Sequence, residues 1–162
     1  LGGEEGDSVA ALVVHGGIPS EGGLAGLFSV ADRDGMTEVV QKKQKFAESS
    51  DQGTESQARR SQRRRLLEEL VWSDPDRDLF NEDISPNELR KAGNNYGLGA
   101  VRNFLQKEGL RTLVRSHEAI RSGLEWVDCG GGTEMYTVFS SSNYPDKRGE
   151  NQAAALRFRP KG

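Results

Sequence analysis

The chain has two histidines, His15 and His117, and they are the residues best suited to hold a metal ion. Each follows a short apolar run, residues 9–14 and 110–114, that reads as a buried strand, so each imidazole stands at a strand end. A neutral imidazole in that position is a good ligand for zinc, iron or manganese. Two histidines fall short of the three or more protein ligands of most metal sites, and on spacing alone a pair of hydrogen-bonded loop histidines is the commoner arrangement. Arg90 and Arg115 are candidates for phosphate clamps, because a guanidinium presents a planar fork that matches two phosphate oxygens. Asp74, between Ser73 and Pro75, can orient a ligand or an arginine; its commoner role is to end a helix or start a turn. Tyr144 can donate a hydrogen bond from the rim of a site, or simply pack. Cys129, the single cysteine, precedes three glycines and has no internal disulfide partner, which fits a reducing compartment.

The elements that must position these residues are strands with one or two helices. His15 is followed by Gly16 and Gly17, which let the backbone turn sharply or let another segment approach closely. The stripe of Leu66, Leu67, Leu70 and Val71 predicts a helix over residues 64–71, stopped by Asp74-Pro75 at the start of a turn. Residues 76–95 are polar and read as irregular. Val101, Phe104 and Leu105 share a helical face within residues 98–108, and Gly109 sits where a helix-ending glycine belongs. Residues 110–114 predict the strand that delivers Arg115-Ser116-His117-Glu118. Residues 124–127 and 135–139 predict a hairpin around Gly130, Gly131 and Gly132, and residues 153–159 a last strand.

The 162 residues fit one domain, and 34% apolar with 29% charged residues and 20 glycines describes a core diluted by polar loops. A net charge of −3 gives no argument for nucleic acid or an anionic membrane as partner. No run of 18 apolar residues is present to span a bilayer, and the first residues do not read as a signal peptide. Residues 41–65 hold eight Lys or Arg and three Asp or Glu against Phe46, Ala47 and Ala58, which predicts a disordered basic insertion. Within it, the basic stretch at residues 59–65 is a candidate nuclear-localisation patch; without interleaved aromatics it is a poor base-stacking surface.

Four short motifs occur in series: Val13-Val14-His15-Gly16-Gly17, Val71-Trp72-Ser73-Asp74-Pro75-Asp76, Val114-Arg115-Ser116-His117-Glu118 and Thr137-Val138-Phe139-Ser140-Ser141-Ser142-Asn143-Tyr144. They resemble the HGG, LWSDP, RSHE and TxFSxxNY motifs of the phosphoprotein phosphatase superfamily, over residues 9–159. The Arg-Ser-His-Glu and Ser-Ser-Ser-Asn-Tyr forms are most similar to the EF-hand-bearing (retinal degeneration C-like) and tetratricopeptide-bearing branches. The former also carry an insertion before Trp-Ser-Asp-Pro.

The resemblance implies an α+β fold, a calcineurin-like metallophosphoesterase β-sandwich flanked by helices, with the C-terminal half only in this chain. It implies a protein serine/threonine phosphatase that hydrolyses phosphoserine and phosphothreonine esters with hydroxide activated by two metal ions (Mn, Fe or Zn). By the same resemblance His15 and His117 bind the second metal, Arg90, six residues before Tyr96-Gly97, holds the substrate phosphate, Tyr144 borders the site, and Asp74 supports it from behind. The implied partners are phosphoprotein substrates and regulatory subunits or domains, without a membrane, and the implied compartment is the cytoplasm or nucleus. Two departures stand out: Lys91 where the family has glycine, and Pro145 where it has Cys or Tyr. The GDxHG, GDxVDRG and GNHE motifs that supply the first metal site and the general acid are absent from the 162 residues, so residues 1–162 are expected to be a partial catalytic domain, inactive alone. A phosphatase-like binding module without chemistry is the alternative.

Overall fold

The structure is a computed structural model that describes residues 11–30, 57–78, 81–145 and 150–158. Its larger sheet has four strands: β1 (Ala11–Val13), β5 (Thr112–Arg115), β7 (Thr133–Val138) and β6 (Leu124–Gly130), in that spatial order. β1, β5 and β7 run parallel, and β6 returns antiparallel to β7. Alternation sets the faces: Leu113 of β5 and Met135 of β7 point into the core, opposite Val101, Phe104 and Leu105 of helix α3 (Leu98–Lys107). On the opposite face Val13, Val114, Tyr136 and Trp126 stand in cross-strand register, and Val13 and Trp126 are 65% and 55% exposed.

Gly109 ends α3 as its position suggests. It has φ +67°, its N–H donates to Gln106 O (3.2 Å), and the N–H of Leu110 donates to Leu105 O (2.7 Å). This paired closure satisfies two terminal carbonyls and turns the chain straight into β5. The hairpin turn between β6 and β7 is carried by Gly130, Gly131 and Gly132, all at positive φ, with a bulge between Asp128 and Gly130.

Two further helices, α1 (Gly23–Val30) and α2 (Gln57–Trp72), lie against each other. Leu66, Leu67 and Val71 of α2 form a second small apolar cluster. A three-stranded sheet of β2 (Asp74–Pro75), β4 (Asn94–Tyr96) and β3 (Ile84–Pro86) follows, with β2 parallel and β3 antiparallel to β4.

Four sequence expectations change. The helix expected at residue 64 begins at Gln57, so the basic stretch from there to Arg65 is helical rather than disordered; residues 41–56, the rest of that insertion, lie outside the described residues. Asp74-Pro75 is a strand, not only a turn, and residues 76–95 contain most of the small sheet. Residues 153–158 form no strand, though Ala154 N–H bonds Phe139 O at 3.0 Å. No helix among the described residues is long and apolar enough to cross a membrane.

Leu105 is fully buried where α3 meets the sheet. Leu105→Ala is expected to lower unfolding stability by about 2–5 kcal/mol, read as a fall in the denaturant midpoint at constant m-value.

Candidate metal and phosphate site

Parallel strands β1 and β5 release their chains at the same sheet edge, the usual place for a site on such a sheet. Their pairing continues past the strands: Val14 N–H bonds Val114 O and Ser116 N–H bonds His15 O, both at 3.0 Å. The ladder therefore carries His15 alongside Ser116 and His117. His117 Nδ1 lies 3.1 Å from His15 Nε2, with ring centroids 4.9 Å apart. That separation suits a neutral N–H···N hydrogen bond, and it also suits two cis ligands about 2.1 Å from one ion, which stand roughly 3 Å apart. The Trp72 indole meets His117 edge to face at 5.4 Å. His117 Nε2 and Trp72 Nε1 are buried without a hydrogen-bond partner among the described residues. His117 has φ +69°, a strained left-handed conformation for a non-glycine residue.

Behind the histidines sits Arg115, whose side chain is fully buried. Its Nε donates to Gly16 O (2.6 Å) and its Nη2 to Ser73 O (3.3 Å) and Asp74 Oδ1 (2.9 Å); Nη1 pairs with Glu118. Four protein acceptors thus share one guanidinium. Glu118 also accepts from Arg77 (3.4 Å), which pairs with Glu125. The other oxygen of Asp74, Oδ2, accepts from Arg90 Nε (2.9 Å) and Asn87 Nδ2 (3.1 Å). Three guanidiniums and three carboxylates therefore interlock.

The glycines after His15 are required by close approach. A Cβ on Gly16 would meet the Val71 carbonyl carbon at 2.7 Å, and one on Gly17 would meet the Tyr96 ring at 2.1 Å. The Tyr96 hydroxyl donates to Gly16 O (3.1 Å), and Gly16 N–H bonds Leu70 O (2.6 Å).

Charge states follow from these surroundings. Burial lowers the His117 pKa to about 4, helped by Arg90, His15 and Arg115 against the opposing pull of Asp74. Desolvation and the Arg115 charge lower that of His15. For Asp74, burial would raise the pKa, but the Arg90 hydrogen bond and the Arg115 charge outweigh it and hold the carboxyl below its ordinary range. The site is two neutral imidazoles beside an ionised, doubly clamped aspartate.

Curated relatives share this sequence at low but extended identity. Serine/threonine-protein phosphatase rdgC of Drosophila melanogaster is 32% identical over 147 residues, 91% of this chain and 20% of the relative. Serine/threonine-protein phosphatase with EF-hands 1 of Rattus norvegicus is 32% identical over 157 residues, 91% of this chain and 23% of the relative. Serine/threonine-protein phosphatase 5 of Arabidopsis thaliana is 33% identical over 147 residues, 91% of this chain and 22% of the relative. A solved Saccharomyces cerevisiae protein serine/threonine phosphatase, described as similar to human phosphatase PP5, superposes with a TM-score of 0.53 at 28% identity, over 86% of this chain and 34% of that one. The chain belongs to the phosphoprotein phosphatase superfamily. No family model matches it. It spans about a fifth of the length of these curated relatives, and its mixed sheets and helices correspond to part of a calcineurin-like α+β phosphatase domain. The EF-hand-bearing relatives and phosphatase 5 match at nearly equal identity, so identity does not choose between the branches.

Within this phosphatase fold, Asp74 and Arg90 share one hydrogen-bond network with Arg115, and His15 and His117 pair with each other within electrostatic reach of it. Tyr144 lies apart from their hydrogen bonds: its ring packs edge to face on Phe139 at 5.2 Å and its N–H bonds Asn151 Oδ1 at 2.7 Å. Arg115 is corrected as a phosphate candidate, because its fork is occupied by internal acceptors and is shut off from solvent. Asn87, Glu118, Arg77 and Tyr96 are site residues that sequence reasoning missed. The acid three residues after Arg115 was the one visible signal, for Glu118. Among the described residues no cluster of three or more His, Cys, Asp or Glu is placed to hold a metal ion.

Removing Arg115 leaves Asp74 and Glu118 buried or half-buried with one partner fewer. Arg115→Met is expected to cost about 3–5 kcal/mol in unfolding stability, measured by chemical denaturation. With only two histidines, both with lowered pKa, acid should act on stability through them between pH 6.5 and about 4. In that window the unfolded chain binds protons that the folded chain does not, so stability falls as pH drops and is flat above the ordinary histidine value of 6.5. Thermal midpoints of metal-free protein at pH 7.5, 6 and 5 test this; an unchanged midpoint at pH 5 would rule it out.

Proposed function

We propose that this chain carries the second-metal histidines and one phosphate arginine of a metal-dependent protein serine/threonine phosphatase, whose substrates are phosphoserine and phosphothreonine proteins. The observation that carries this reading is the 3.1 Å approach of His117 Nδ1 to His15 Nε2 beside Arg90 held on Asp74. His15 Nε2 and His117 Nδ1 would hold the ion, both kept neutral and able to ligate by their lowered pKa. When bound, metal ions supply a water acidic enough to attack near neutral pH and positive charge against the phosphoryl oxygens.

The need for that charge follows from the residues. Arg77, Arg90 and Arg115 are matched by Asp74, Glu118 and Glu125, so a phosphate dianion meets little uncompensated positive charge from these residues. Arg90 contributes direction as well as charge: Asp74 engages its Nε, and the terminal nitrogens carry the fork that suits phosphoryl oxygens. Asp74 and Arg115 hold the geometry, and Tyr144 would border the site after β7. The metals would be manganese, iron or zinc, all compatible with imidazole.

Two imidazoles are too few ligands for a tight site, and the 162 residues contain no GDxHG, GDxVDRG or GNHE sequence. The chain alone is therefore expected to bind one Mn²⁺ or Co²⁺ weakly, with His15→Ala and His117→Ala each removing it, and to leave phosphopeptides intact. Metal titration followed by EPR or by the cobalt absorption spectrum, with a phosphate-release assay, checks both. Manganese-dependent turnover by the 162-residue chain, lost in His117→Ala, would show that the site is complete without those motifs. No metal bound at all would favour a binding module without chemistry.

A further inference from the structure

We propose that Asn87 is a positioning residue that fixes the Arg90 guanidinium against Asp74 and so prepares it for a phosphate oxyanion. The inference rests on the reading of Arg90 as the phosphate arginine. Asn87 is 3% exposed, and it is the one buried residue in the exposed run at positions 81–90. A buried amide must be satisfied, and where its bonds go shows what it is for. Its Oδ1 accepts the backbone N–H of Arg90 (3.0 Å), and its Nδ2 donates to Asp74 Oδ2 (3.1 Å), the same oxygen that accepts Arg90 Nε (2.9 Å). One side chain thus ties both the backbone and, through Asp74, the side chain of Arg90.

The main chain of Asn87 closes the same loop. Its N–H donates to Gly93 O (3.1 Å) and its carbonyl accepts from Lys91 N–H (2.8 Å). That loop contains two left-handed residues, Lys91 at φ +54° and Gly93 at φ +66°. Gly93 is pressed on the α2–β2 junction, where a Cβ would meet the Trp72 carbonyl carbon at 2.6 Å. A strained loop of this kind persists only where its surroundings over-determine it, and Asn87 supplies much of that determination. Arg90 then lines a cavity of about 500 Å³ with Arg77 and the carboxylates of Asp74, Asp76, Asp78 and Glu118, so the direction of its guanidinium matters more there than the net charge. A free arginine side chain has many rotamers, and holding it in one removes an entropy cost from anion binding.

The chemistry also specifies asparagine. Aspartate would keep the acceptor for the Arg90 N–H but set a second carboxylate against Asp74 Oδ2. Alanine would remove both bonds. Serine would offer a short acceptor without reach to Asp74.

Because Asp74, Glu118 and Glu125 offset the three arginines, binding to the chain alone is expected to be weak. The test is inorganic phosphate titrated to millimolar excess into the 162-residue chain, followed by ¹⁵N NMR of the arginine Nε–H groups. The parent protein should show an Arg90 Nε–H resonance that shifts with phosphate, and Arg90→Ala should abolish that binding. Asn87→Ala and Asn87→Asp should each weaken phosphate affinity about tenfold and broaden or lose the Arg90 Nε–H signal. The buried Arg115 Nε–H signal should stay in place, which separates local release of Arg90 from general unfolding. Arg90-dependent phosphate binding that persists at full affinity in either Asn87 variant overturns this inference alone. So does loss of the Arg115 signal together with that of Arg90 in both variants, which would mark Asn87 as a general structural residue. Phosphate binding that is absent, or indifferent to Arg90→Ala, overturns the reading of Arg90 and the inference with it.

Discussion

The buried guanidinium of Arg115 is the interaction on which the site depends. A charge taken out of water is tolerable only when its donors are met, and Arg115 meets them with groups from three chain segments: the Gly16 carbonyl after β1, Ser73 and Asp74 at the α2–β2 junction, and Glu118 after β5. Those are the segments that carry the two histidines and the carboxylate holding Arg90. The same atom contacts that satisfy a buried charge therefore set the spacing of the site, so stability and geometry cannot be varied separately at this position.

Close packing adds the second constraint. Gly16 and Gly17 allow the His15 loop to lie on the backbone of Val71 and the ring of Tyr96, and the Tyr96 hydroxyl returns a bond to Gly16 O. The small sheet, although only two or three residues long per strand, is what brings Tyr96 and the Arg90 loop to that place. Its members are polar and short, yet β4 ends in a fully buried tyrosine at the centre of the main core.

These facts explain what could be read from sequence. The spacing of Val101, Phe104 and Leu105 with Gly109 points to α3 and its end, and the apolar runs before His15 and His117 point to strands β1 and β5, but not to their parallel pairing. The small sheet was not legible, because Ser85, Asn94 and Asn95 carry no strand preference and are held by tertiary pairing. The start of α2 was missed because its first turns are basic and polar, without an apolar stripe. In the site, His15, His117, Arg90 and Asp74 could be picked out by residue type and motif. Sequence makes Arg115 a candidate phosphate clamp, because burial of an arginine cannot be seen until its acceptors, most of them distant in sequence, are brought to it. Asn87 was invisible for the same reason.

The left-handed backbone at His117 bears on how the site comes into being. An isolated Ser-His-Glu segment has no reason to adopt φ near +69°; it does so once β5 has joined β1 and the Arg115 acceptors have closed around the guanidinium. The imidazole pair is thus a product of tertiary pairing rather than of its local sequence. A change that opens the β1–β5 pairing or the Arg115 contacts therefore disturbs the imidazole pair as well, because those contacts hold His15 beside His117.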